Sequence, residues 1–191
     1  MAKLYFYYAS MNAGKSTTLL QSSFNYQERG METMLWTAAL DDRYGTGFIT
    51  SRIGLEAGAN LFDPDTDLEA GIVRQHAQST LSCVLVDEAQ FLTRAQVLQL
   101  ARVCDCMNIP VLAYGLRTDF QANLFEGSAA LLGLADSLVE LKAICECGRK
   151  STMNLRVDAD GRAIREGAQT EIGGNDRYVA LCRRHYMERV D

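Results

Sequence analysis

Glycine, lysine and two hydroxyl residues stand in a row at Gly14-Lys15-Ser16-Thr17, near the start of a 191-residue chain. These types in this order can hold a phosphate chain. A glycine lets the main chain approach the anion, inward N–H groups cradle it, the lysine reaches its outer phosphates, and the hydroxyl is a ligand for Mg²⁺. The stretch runs Ala9, Ser10, Met11, Asn12, Ala13, Gly14, Lys15, Ser16, Thr17. Ala9 stands where such a loop usually opens with glycine, a change that costs nothing if φ stays negative there.

A second chemical pair is Asp87-Glu88, at the end of the apolar run Cys83-Val84-Leu85-Val86. A buried parallel strand that ends in an acid delivers a carboxylate to the edge where Mg²⁺ on a nucleotide is held, so Asp87 reads as the metal-side acid. On an extended backbone Glu88 points the other way, toward whatever attacks the γ-phosphate, and is the candidate general base.

A third group is Cys145, Cys147, Cys182 and His185. Three thiolates and one imidazole in two close pairs match a closed, structural Zn²⁺ site, and the alternative is unpaired thiols in a reducing compartment. Cys104 and Cys106 fall on different helix faces and read as structural thiols. His76 reads as a plain helix-surface histidine. Arg43, in the polar loop Asp41 to Gly47, is either a phosphate contact or a solvated charge.

The elements that must position these groups follow from the pattern. Leu4-Tyr5-Phe6-Tyr7-Tyr8 predicts a strand feeding the loop, and Leu20 and Phe24, one turn apart, predict a helix with a stop at Gly30. Met34-Leu35-Trp36 predicts a second strand. Leu68, Ile72 and Val73 mark an amphipathic segment behind a turn at Pro64. Thr93 and Gln96 form a capping box for a helix to Met107, with Val97, Leu100, Ala101 and Cys104 on one face. Val111 to Tyr114 predicts a strand, Ser128 to Leu134 a helix, and Leu138 to Leu141 a last strand. Strand and helix alternate, which predicts an α/β fold of the P-loop type, a mostly parallel sheet with helices on both faces. From spacing alone, Phe120 and Phe125 read as core.

Lys+Arg number 19 against 24 Asp+Glu, a net charge of -5, which argues against a broad nucleic-acid-binding face or an anionic-membrane surface. With no leader-like or bilayer-length apolar run, the chain is expected to be cytoplasmic. The composition changes at Cys145, so residues 1–143 are expected to form the P-loop α/β domain and 144–191 a small zinc-binding domain. A hydrolytic P-loop ATPase or switch protein, and a nucleic-acid-binding ribbon at Cys145 to His185, are the rival readings of these residues.

Met11 inside the loop, Asp87-Glu88-Ala89-Gln90-Phe91, the segment Arg117 to Phe125, the two metal-ligand pairs and Gly173-Gly174-Asn175-Asp176-Arg177-Tyr178 occur in one order. In that order the chain closely resembles the type II thymidine kinases, from about residue 4 to residue 186. The resemblance implies transfer of the γ-phosphoryl group of ATP to the 5′-hydroxyl of thymidine or deoxyuridine, a step in pyrimidine deoxynucleoside salvage. It implies that Ala9 to Thr17, Asp87, Gln90 and Arg43 serve ATP and Mg²⁺, and that Glu88 accepts the hydroxyl proton. Met11, Phe91, Leu116, Phe120, Phe125 and Tyr178 would line the thymidine pocket, which moves the two loop phenylalanines from core toward site. Gly148 to Leu181 would be a lasso-like loop over the base, pinned by structural zinc. A homotetramer and feedback inhibition by thymidine triphosphate are also implied. The pair Cys145-Glu146-Cys147 is CxC where animal members have CxxC.

Overall fold

The computed structural model describes residues 1–40, 47–170 and 177–191. Arg43 and the stretch Gly173-Gly174-Asn175-Asp176 lie outside them. In chain order the elements are β1 (Leu4–Ala9), α1 (Lys15–Gln27), β2 (Glu32–Ala38), β3 (Phe48–Thr50), β4 (Glu56–Gly58), β5 (Asn60–Phe62), α2 (Leu68–Gln78) and β6 (Leu81–Val86). A 3-10 turn (Ala89–Phe91), α3 (Arg94–Met107), β7 (Val111–Leu116), α4 (Glu126–Leu134) and β8 (Ser137–Glu140) follow. β9 (Ala143–Ile144), β10 (Lys150–Ser151), β11 (Met153–Arg156), β12 (Tyr178–Leu181) and α5 (Arg183–Val190) complete the chain.

Six strands form one sheet in the order β5-β2-β6-β7-β1-β8, and every neighbouring pair is parallel. The period of two along each strand splits the core into two layers. Leu4 and Phe6, Met34 and Trp36, Val84 and Val86, and Val111 and Ala113 face one side, where Leu68 and Ile72 of α2, Val97, Leu100, Val103 and Cys104 of α3, and Ala130 and Leu131 of α4 pack on them. Leu35, Cys83, Leu85, Leu112 and Tyr114 face the other, under Leu19 and Leu20 of α1. Each such buried Leu or Ile contributes roughly 1.5–3 kcal/mol. Helices therefore cover both faces, as the alternation predicts.

Several local expectations hold. Gly30 adopts φ 72° and its N–H bonds the Gln27 carbonyl, closing the end of α1. Thr93 and Gln96 form the reciprocal cap of α3, and Gln96 also donates to the carbonyls of Asp63 and Thr66, tying that helix to the turn before α2. Others change. Phe24 is 57% exposed on α1 and Val73 46% exposed on α2, because each falls just outside the stripe its helix buries. His76 is half-buried, and its Nδ1 accepts the Leu81 N–H at 3.1 Å, so it closes the α2–β6 turn. The β3–β4 hairpin and the edge strand β5, three residues per strand, have no counterpart in the sequence pattern.

A third apolar cluster gathers Cys145, Met153, Leu155, Val157, Leu181, Cys182 and Tyr186 around the antiparallel pair β11–β12. Tyr186 of α5 donates its hydroxyl proton to the Phe120 carbonyl at 2.7 Å, which anchors that cluster on the loop after β7. Among the described residues no helix is long and apolar enough to cross a membrane.

Candidate active site

The loop after β1 emerges beside the loop after β7, since Ala9 pairs with Leu116 across the sheet. This is the C-terminal edge of a parallel sheet, where open α/β folds bind ligands. Ala9 is the last residue of β1 and is not among the positive-φ residues, so the absent glycine is not needed there. The turn bends instead at Asn12 (φ 63°) and Gly14 (φ 77°). Gly14 caps α1 in the left-handed region that glycine enters without a side-chain penalty. Lys15, Ser16 and Thr17, the first residues of α1, line the adjoining cleft, and the N-terminus of a helix suits an anion. Lys15 Nζ donates to the Ser10 carbonyl at 3.1 Å, folded along the loop it serves.

Asp87 follows β6 and is held in register by its N–H on the Trp36 carbonyl. Ser16 Oγ donates to Asp87 Oδ2 at 2.8 Å, so the hydroxyl and the acid meet as the spacing predicts. Burial, and then the neighbouring Glu88 charge, raise the Asp87 carboxyl above its ordinary range, while Ser16 and Lys15 act against that shift. A carboxylate in that position gains from a cation, and the oxygen donors of Ser16 and Asp87 suit a hard ion such as Mg²⁺.

Glu88 departs from its expected backbone. It is not extended: φ 51° and ψ 37° place it in the left-handed region, at the start of the 3-10 turn Ala89–Phe91. The bend brings its carboxylate onto the side-chain amide of Gln90, which donates to Glu88 Oε2. The same amide accepts the Leu116 N–H at 3.0 Å through Oε1. Gln90, expected on the ATP and Mg²⁺ side, is 2% exposed and engages the base candidate and the strand after it.

Met11 to Thr17, Asp87, Glu88, Gln90, Phe91, Leu116, Phe120, Phe125 and Tyr178 all line one cleft of about 360 Å³. Ala9 and Ser10 lie behind it, buried, and support the loop from below. Phe91 and Phe125 meet edge to face with centroids 5.8 Å apart. Phe120 and Phe125 are buried and line the cleft as well, so each ring packs in the interior and forms part of the cleft wall.

Two polar side chains that sequence reasoning missed complete the roof. Arg156, 2% exposed on β11, donates from Nε and Nη2 to the Tyr178 hydroxyl at 2.9 and 2.7 Å, and its guanidinium lies 3.8 Å from the Phe120 ring centroid. Asn154, also 2% exposed, bonds the Met11 N–H and the Thr118 carbonyl. The signal was present: Met153, Leu155 and Val157 alternate with Asn154 and Arg156, and a strand with that pattern presents one polar face. Read within a polar stretch, that face passed for solvent. The β3–β4 hairpin contributes Ile49 and Arg52 to the rim, again unforeseen.

The thiol and imidazole group assembles away from this cleft. Cys145 Sγ lies 3.4 Å from His185 Nδ1, Cys147 Sγ 3.8 Å from Cys182 Sγ, and one ligand atom of each residue falls within 4.8 Å of all the others. A tetrahedral zinc with bonds of about 2.0–2.3 Å sets its ligand atoms at such spacings. Backbone N–H groups of Cys147 and Cys182, with His185, bring the Cys145 thiol down to about 6 against the opposing effect of burial, which favours the thiolate a metal needs. The residues present fit the ion.

The family description "Thymidine kinase" matches residues 2–186. The chain belongs to the thymidine kinase family. Similar proteins bearing that name include one from Novosphingobium aromaticivorans, 74% identical over 190 residues, and one from Zymomonas mobilis, 64% identical over 191 residues. One from Vibrio parahaemolyticus is 62% identical over 190 residues. Each comparison spans 100% of this chain and 99% of the relative. As a member of the thymidine kinase family the chain is a kinase, a transferase.

Proposed function

We propose that the chain transfers the γ-phosphoryl group of ATP to the 5′-hydroxyl of thymidine, with deoxyuridine as a second acceptor, in pyrimidine deoxynucleoside salvage in the cytoplasm. One observation carries the reading. The phosphate loop, the Asp87-Glu88 pair and the rings of Phe91, Phe120, Phe125 and Tyr178 converge on a single cleft large enough for a nucleoside and a phosphate chain.

Phosphoryl transfer needs positioning and charge neutralisation more than covalent help from the protein. The loop N–H groups from Ala13 to Thr17 bind the phosphates, and Lys15 swings from the Ser10 carbonyl to their outer oxygens. Ser16 and Asp87 would hold Mg²⁺, which would supply charge neutralisation for the β- and γ-phosphates. Glu88 takes the 5′-hydroxyl proton, and Gln90 fixes that carboxylate toward the acceptor. Phe120, Phe125 and Tyr178 enclose the base, with Met11, Leu116 and Phe91 at its edges. Arg52 at the rim, and Arg43, are further cations for the phosphates. Cys145, Cys147, Cys182 and His185 hold a structural Zn²⁺ that pins both ends of the lasso Gly148 to Leu181, in a unit of residues 144–191 set on a kinase domain of residues 1–143. A homotetramer, with thymidine triphosphate as its feedback inhibitor, is proposed on the family resemblance.

Incubation with ATP, Mg²⁺ and labelled thymidine is expected to yield the monophosphate. No product above the blank, with vigorous ATP hydrolysis in the absence of nucleoside, would overturn the reading in favour of an ATPase.

A further inference from the structure

β11 touches both halves of the cleft. Its residues Asn154 and Arg156 sit two apart on one strand face, opposite Met153 and Leu155 of the third apolar cluster; Asn154 lines the cleft, and Arg156 lies behind two residues that do. Arg156 holds the base-side Tyr178 and Phe120. Asn154 holds the phosphate loop: its Oδ1 accepts the Met11 N–H at 2.7 Å, and its Nδ2 donates to the Thr118 carbonyl at 3.0 Å. Both backbone groups have only one possible role, which fixes the orientation of the amide. A second tie lies one turn of chain earlier, where the buried hydroxyls of Ser151 and Ser10 meet at 2.7 Å.

Met11 immediately precedes Asn12, whose φ of 63° starts the bend that aims the following N–H groups inward. A left-handed asparagine is a sparsely populated state and persists where its neighbours are held. The peptide entering that bend is therefore set by a side chain of the roof strand and not by the loop itself. With Asn154 withdrawn, the Met11 N–H and the Thr118 carbonyl lose their partner in a buried setting, which costs more than the bonds themselves contribute.

We propose that Asn154 is a positioning residue that couples the two substrates: the phosphate loop takes its binding shape when β11 is seated, and a seated β11 is what brings Arg156 and Tyr178 over the base. The proposal rests on the thymidine kinase reading above. Each substrate then pays part of the ordering that the other requires, so each tightens the other by the same factor.

The test is calorimetric binding of thymidine to the zinc-loaded full chain, with and without the non-hydrolysable analogue adenylyl imidodiphosphate and Mg²⁺. In the wild type the analogue is expected to tighten thymidine by about fivefold or more. Asn154→Leu, similar in size but unable to bond either group, is expected to bring that ratio below about twofold, whatever it does to thymidine affinity itself. Ser151→Ala, which leaves Asn154 in place, should lower the ratio partway and carries the test if the leucine variant does not fold. A ratio near one in the wild type, or the wild-type ratio kept in a folded variant, overturns the proposal. Binding with an unaltered ratio sinks this inference alone, whereas no thymidine binding under either condition sinks the kinase reading beneath it.

Discussion

Glu88, the proposed base, sits on strained backbone. A non-glycine residue in the left-handed region costs on the order of 1–3 kcal/mol, and here the surroundings hold it there: the 3-10 turn behind it, and the Gln90 amide on its carboxylate. If Glu88 takes the acceptor proton, Glu88→Gln should lower kcat by about 10² or more while ATP still binds, as read by steady-state rates and by nucleotide titration. A loss under about threefold would leave Glu88 only an organiser of the turn. The place of this residue beside the phosphate loop was legible, because an apolar run that ends in an acid pair is a strand that delivers it to the sheet edge. Its backbone was not. Positive φ in a glutamate follows from the packing of α4 and β7 around the turn, and no local propensity encodes it. Arg156 and Asn154 escaped for a related reason: a polar side chain reads as exposed until a second element is known to cover it.

At the scale of elements, the turn that carries Glu88 and Gln90 is held from outside by α4. A Cβ on Gly127 would lie 2.5 Å from the Ala89 carbonyl oxygen, 2.7 Å from that of Leu92 and 2.9 Å from that of Gln90. These are backbone atoms, so the helix or the turn must move. Gly127→Ala is expected to cost about 1–3 kcal/mol in a denaturant midpoint and to depress kcat with it, since the turn carries Glu88, the proposed base. A variant with full stability and full kcat would mean that the turn is not held by α4. The long elements were the readable ones. β1, β6 and β7 are long enough for their apolar content to stand out, and α3 announces itself by its capping box. β3, β4 and β5 are too short for periodicity, and they lie at a sheet edge or outside the sheet, where packing and not composition decides the strand. The helix faces were readable only to within one position, which is why Phe24 and Val73 turned outward.

Across the whole molecule, the arrangement is a parallel sheet that presents a phosphate loop and an acid pair at one edge, with a small thiol-bound unit as its roof. Sequence alone showed the two chemical centres and their order; the contacts joining them, Ser10 to Ser151, Met11 to Asn154 and Phe120 to Tyr186, span more than sixty residues each and could come only from the folded chain. Because the roof has a small core of its own, its order is expected to depend on zinc. Stripping the metal with a chelator should release about one zinc per chain by elemental analysis and weaken thymidine binding at least tenfold. Nucleotide binding should fall less. Equal losses for both ligands would mean that the metal supports the entire fold, and no metal to release would remove the zinc assignment.

The central claim is that donor and acceptor meet in one cleft, between the loop after β1 and the roof of β11 and β12. A crystal structure of the chain with thymidine and a non-hydrolysable ATP analogue measures this directly. The account predicts the 5′-oxygen within about 2.6–3.2 Å of the Glu88 carboxylate, the base against Phe120 and beneath Tyr178, and the terminal phosphate on Lys15. A nucleoside bound elsewhere, or one with its 5′-oxygen turned away from Glu88 toward solvent, would contradict it.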